Sequence, residues 1–192
     1  MANSNAATGL TPRCYRNGAP WNGVARAYYV PVGNTTALYV GDPVIIAGDG
    51  DAFGTPTCVI ATAATGRITG VVVGFRPSAP FPLPYLPATT AGYVLVADDP
   101  DLLFEVQEDG VGGSLAATNI GNNISLIAGA GSTTTGNSGW MIDSSTAATT
   151  NTLQMRIVEL QHRVDNVIGT TAKWLCAINL PTETGAAGST GV

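Results

Sequence analysis

The sequence predicts an all-β protein: an antiparallel β-barrel or sandwich with an extended N-terminal arm and long loops. Three observations carry that expectation. Short runs rich in Val, Ile, Thr and aromatic residues recur between clusters of Gly, Asp and Pro, as in ALYVGDPVIIAG, then GDGDAFGTP, then TCVIATAATGRITGVVVGFR. That is how antiparallel strands joined by tight turns read. Val44-Ile45-Ile46 and Val71-Val72-Val73 are apolar without interruption, the pattern of a strand covered on both faces. Helical periodicity is scarce, so the second cover is expected to be either another sheet or another subunit.

Residues 1–23 read as an extended arm. MANSNAATGLTP is small and polar, and in RCYRNGAPWNG the aromatics Tyr15 and Trp21 follow no period, so they read as anchors that pack on something. Regular structure is expected from Val24, with VARAYYVPV as a first strand that Pro31 ends or holds to a sheet edge. The β-rich body, 24–180, divides into two sheet-forming halves, 24–76 and 88–180. Between them PSAPFPLPYLP (77–87) is too proline-rich for helix or central strand and reads as a stiff polyproline-like connector. Its Phe81 and Tyr85 either drape over their own domain or dock in an aromatic-lined groove, as proline-rich ligands do.

Strands resume at GYVLVADD and LLFEVQED, and residues 110–139 read as a long loop crossed by one short strand near Ile124. Trp140-Met141-Ile142 begins another strand. The segment TLQMRIVELQHRVDN admits two readings, because Leu153, Ile157, Leu160 and Val164 have helical spacing while Leu153, Met155 and Ile157 also alternate. A hairpin with AKWLCAINLP is favoured, since so little else in the chain is helical. Residues 181–192 read as a loose C-terminal tail.

Composition narrows function. Charged residues are 11% of the 192-residue chain, against about 25% in ordinary soluble domains, and such a neutral surface suits a protein packed among neighbours. The net charge of -5 argues against nucleic acid as a partner, since phosphate binding needs clustered Lys and Arg. The sign is uneven: Arg13, Arg16 and Arg26 precede any acid, while from Asp42 onward five bases face thirteen acids. A basic segment ahead of an acidic body either docks on an acidic neighbour, another copy included, or is a solvated tail. MANSNAATGL lacks the basic start and apolar run of a signal peptide, and no apolar window is long enough to span a membrane. Cys14, Cys58 and Cys176, widely spaced and odd in number, read as small buried hydrophobes in a reducing compartment.

No catalytic residue, metal ligand or cofactor site is expected. His162 is the only histidine, and no GxSxG or HExxH spacing occurs. GAGSTTTGNSG lacks the lysine of a phosphate loop, and the clusters Asp49/Asp51 and Asp98/Asp99/Asp101 lie in Asp-Gly and Asp-Pro turn sequences without EF-hand spacing. Glu105 and Glu108, three apart on an extended strand, point to opposite faces and do not converge on a substrate.

The hairpin GDPVIIAG…GRITGVVVGF, the segment DPDLLFEVQED and the ending LQMRIVELQHRVDNVIGTTAKWLCAINLP together resemble the head decoration, or cement, proteins of tailed bacteriophages. The resemblance covers most of residues 24–181. It implies a non-enzymatic virion protein, made in the host cytoplasm, that sits on the outer surface of the capsid. Its partners would be the phage major capsid protein and itself, as a homotrimer or a dimer, with neither nucleic acid nor membrane involved. Capsid or subunit contacts are then expected at Arg13, Tyr15, Arg16 and Trp21 in the arm and at Phe81 and Tyr85 in the connector, with the arm separable from a body that folds without it. The alternative is a carbohydrate- or receptor-binding virion module, a tail or fibre protein. A major capsid protein is a further rival, but it would need a long spine helix that the sequence lacks. An enzyme acting through a trimer interface, as some nucleotide hydrolases do, is the last, and the missing phosphate-binding motif counts against it.

Overall fold

Every extended run bounded by turn residues has to find partners for its backbone N–H and C=O groups, and here they are found mainly in one closed barrel and one open sheet. The computed structural model describes residues 3–77, 83–183, 188, 190 and 191. Its strands are β1 (Thr11–Tyr15), β2 (Arg26–Val30), β3 (Pro43–Gly50), β4 (Pro56–Ile60), β5 (Gly70–Arg76), β6 (Gly92–Ala97), β7 (Leu102–Gln107), β8 (Asn123–Ile124), β9 (Leu126–Ile127), β10 (Met141–Ile142), β11 (Met155–Leu160) and β12 (Lys173–Ile178). Two single 3-10 turns, Ala117–Asn119 and Ser144–Thr146, are the only helical elements among the described residues. The fold is all-β.

Strands β2-β4-β3-β5-β6 close into a barrel. Its pairings are antiparallel except β2 with β4, which run parallel and meet at Tyr29 and Thr57. Closing so few strands needs strong bending, and register shifts between Ile46 and Gly50 and between Val72 and Gly74 supply it. The second lobe is a five-stranded sheet in the order β1-β7-β12-β11-β8, flanked by the small β9–β10 pair.

The two uninterrupted apolar runs are explained differently. Val72 joins Tyr28, Val30, Leu38, Val44 and Val94 inside the barrel, whereas its neighbour Val71 joins Leu102, Phe104, Trp174 and Cys176 in the core of the second lobe. Strand β5 is therefore a wall shared by both cores, covered on both faces by its own chain. In the β3 run Val44 is buried, while Ile45 and Ile46 are half-buried. The second core holds the large side chains: Phe104 and Trp174 are both fully buried, and each contributes about 1.5–3 kcal/mol from burial.

Two sequence expectations need correction. Regular structure begins at Thr11, because β1 pairs antiparallel with β7, Thr11 opposite Glu105 and Tyr15 opposite Leu102. Leu10 is 1% exposed, and Tyr15 and Trp21 pack against the same core. The outer edge of β1 is capped in turn, Tyr15 donating to the Ala19 carbonyl and Trp21 to that of Arg13. Residues 11–21 are thus sheet and sheet cover rather than a free arm. The boundary between the sheets also lies later than the proline segment. Strand β6 pairs with both β5 and β2, so it closes the barrel, and the chain passes to the second sheet only between Ala97 and Leu102. The proline segment is a long connection within the barrel. Its described end lies back on that barrel: Leu86 exchanges backbone hydrogen bonds with Leu38 and is buried in the barrel core.

The hairpin expected at the C-terminal end is present, β11 pairing with β12 from Met155–Ile178 to Leu160–Trp174. A bulge between Ile157 and Glu159 explains the double reading of its sequence. Met155 and Ile157 alternate into the core, and the inserted residue then brings Leu160 onto the same face three positions on, which imitates a helical step.

Candidate interaction surface

Past Val44, β3 leaves β5 and pairs only with β4, whose Thr57 still faces Tyr29 of β2, and the β3–β4 turn forms a finger at the barrel rim. Its turn is built around Asp51. The carboxylate accepts from the Phe53 and Thr55 backbone N–H groups through Oδ1, at 2.9 and 2.8 Å. It accepts from the Tyr93 hydroxyl through Oδ2 at 2.6 Å. That phenol donor holds Asp51 below the ordinary carboxylate range, and the bond pushes Tyr93 up in return. The Tyr93 ring is braced by Tyr29 (centroids 5.5 Å apart) and by the Arg76 guanidinium 5.8 Å away. Gly54, at φ +81°, completes a turn that a side chain would strain. On this braced turn Phe53 is 90% exposed, the one large apolar side chain that the tip gives to solvent.

A second apolar tip lies on the β11–β12 loop, where Val164 is 93% exposed and Val167 and Ile168 about half exposed. This loop is also fixed. The Asn166 amide donates to the carbonyls of Gln161 and Lys173 and accepts from the Lys173 N–H, at 2.7–2.9 Å. Asn3 grips the far side, donating to the Val167 carbonyl and accepting from its N–H. Val111, also exposed, sits on the adjoining loop, which is tied across by Ser114 and Thr170. Single exposed apolar side chains are ordinary on a protein surface; what sets these two tips apart is that each sits on a turn fixed by hydrogen bonds.

The residues singled out from sequence are mostly turned to intramolecular work. Arg13 and Arg163 share the Glu105 carboxylate, which is 5% exposed, at 2.9 and 3.2 Å. Arg16 lies 3.8 Å from Asp101, and Arg26 pairs with Asp98 at 2.7 Å. The basic N-terminal segment therefore docks on acids of its own chain. Tyr15 and Trp21 are half-buried against the second core, and Tyr85 stacks on Tyr39 with centroids 5.2 Å apart. Phe81 lies outside the described residues.

The groups considered for chemistry do not converge. Asp98 is engaged by Arg26 and the Tyr28 hydroxyl. Glu108, fully buried, accepts from the Leu115 N–H, and burial raises its pKa. Its other oxygen and the buried Trp174 Nε1 make no well-formed hydrogen bond, though the indole dipole favours the charged carboxylate. His162 is exposed, and burial pushes the free thiol of Cys58 up to about 12. No group of three His, Cys, Asp or Glu able to hold a metal occurs among the described residues. Nor does any helix among them have the length and apolarity to cross a membrane.

Sequence reasoning passed over Phe53 because DAFG reads as an ordinary turn. The available signal was an aromatic residue set between Asp and Gly where turn chemistry calls for small polar residues. No family model, curated protein or solved structure matches the chain.

Proposed function

We propose that the protein is a head decoration protein of a tailed bacteriophage, which binds the outer surface of the capsid and cements neighbouring major capsid protein subunits. The observation that carries this reading is the pair of rigidly held apolar tips, Phe53 and Val164, on a low-charge β frame. Keeping a phenyl ring in water forgoes about 1.5–3 kcal/mol of burial, and a contact that buries it on a partner recovers that energy. Cementing requires contact area, about 1,200–2,000 Å² for a stable joint, and several joints held by one homotrimer or dimer gain through effective concentration.

The test is co-sedimentation of the full chain with mature shells of the phage that encodes it, for wild type and for Phe53→Ala. Saturable binding of wild type, with at least a tenfold loss in the variant, supports the proposal. Absence of wild-type binding to those shells, with selective binding on a glycan array, would replace it with the carbohydrate- or receptor-binding reading.

A further inference from the structure

A cavity of about 460 Å³ opens between the barrel and the second lobe. Its wall is mostly small and apolar, Ala61, Ala128 and Gly131 among it, with two aromatic residues, Tyr39 and Trp140, and one ionisable acid, Asp42. Tyr39 is held in place on both sides: its ring stacks on Tyr85 and lies against Gly131, where any Cβ would collide with it.

Asp42 differs from the other buried acids that make ion pairs. Its side chain is 2% exposed and accepts from the Tyr39 N–H at 2.8 Å and from the Ser138 side chain. Both donors are neutral, whereas Asp98 and Glu105 each pair with arginine. Burial without a counter-charge pushes Asp42 up to about 6, so at neutral pH the carboxylate is ionised beside a cavity and lacks a cation. A buried charge of this kind is costly unless a counter-ion reaches it. A buried carboxylate on a cavity with small apolar walls is chemistry that suits an alkylammonium ion, its charge at the acid and its chain against the walls.

We propose that this cavity binds an alkylammonium group, with Asp42 as its counter-charge and the small apolar walls around its alkyl chain. The group could come from a free amine or from a lysine side chain of a partner; the chain's own single lysine, Lys173, lies on β12 in the other sheet. The site is independent of the shell-docking tips, so failure of either reading leaves the other standing.

The experiment titrates the full chain at pH 7.5 with n-butylammonium, with n-butanol as the uncharged analogue, and with N-acetyl-lysine N-methylamide, reading the amide shifts of Tyr39 and Asp42 and the Trp140 indole. Butylammonium is expected to bind at least tenfold more tightly than butanol and to lose about tenfold in affinity between pH 7.5 and pH 5, as Asp42 takes up a proton. Among the described residues the only other titratable group lining the cavity is Tyr39, whose pKa is raised by burial, so it stays protonated throughout. Asp42→Asn is expected to abolish the preference for the cation, and the pH series on wild type gives the same information should that variant not fold. Comparable or tighter binding of the lysine derivative assigns the site to a partner's lysine, while binding of butylammonium alone assigns it to free amines. Equal shifts with butanol, no shift with either amine, or affinity independent of pH would each overturn the proposal.

Discussion

The N-terminal segment and the β3–β4 finger exchange the roles that composition assigns them. The first is basic, aromatic and aperiodic, and reads as the part that reaches outward. In the fold it is tied down by β1–β7 pairing, by Arg13 on Glu105 and by Leu10 in the core. The second reads as an ordinary Gly/Asp turn, and it projects with Phe53 in water. What separates them is where their polar groups find partners. The segment's cations and strand N–H groups are satisfied only by docking on residues some ninety positions away, so docking is compulsory. The finger satisfies its turn backbone locally through Asp51 and needs only Tyr93 of the neighbouring strand to brace it.

The largest effect that sharpens this contrast is truncation. Deleting residues 1–23 removes a sheet strand, Leu10 and two aromatic anchors, and is expected to destabilise the chain by more than about 4 kcal/mol or prevent folding. Urea denaturation measures this, and a wild-type midpoint would return the segment to the status of a dispensable arm. Glu105→Gln is next. It removes a buried anion shared by two half-exposed arginines, so after allowance for screening about 1–2 kcal/mol is expected, with faster hydrogen exchange along β1. Unchanged exchange there would mean the charges do not hold the segment.

Tyr93→Phe probes the finger. With the phenol donor gone, the Asp51 pKa is expected to rise toward the ordinary carboxylate range, as read by carboxyl NMR titration. Because the folded-state value is depressed, ordering of the turn by Asp51 is complete above the ordinary carboxylate pKa and is lost as pH falls through the depressed one. An Asp51 titration identical in the variant would show that Tyr93 does not anchor the turn. The smallest expected effect on stability belongs to Phe53→Ala, within about 0.5 kcal/mol of wild type. A larger loss would mean that the ring supports the fold and is not reserved for a partner.

The same contrast explains what the sequence disclosed. Val71-Val72-Val73 announced two covered faces, and the all-β class and the C-terminal hairpin were legible from period and turn chemistry alone. Membership was not. Nothing in GYVLVA states that it closes the barrel with Arg26–Val30, nor in TPRCY that it pairs with Leu102–Gln107, because both partnerships are fixed by distant segments. The cation-poor setting of Asp42 was equally invisible, since GDP reads as a turn until Tyr39, Ser138 and Trp140 are brought around it. Local signals reveal what a segment can be, and long-range pairing decides what it faces.

The most direct test of the account is a density map of the assembled phage particle. The chain is expected on the outside of the shell, with Phe53 or Val164 buried against capsid protein and Arg13 still on Glu105. A map with the chain on the shell but both tips in solvent, or with no copy of it on the head, would contradict it.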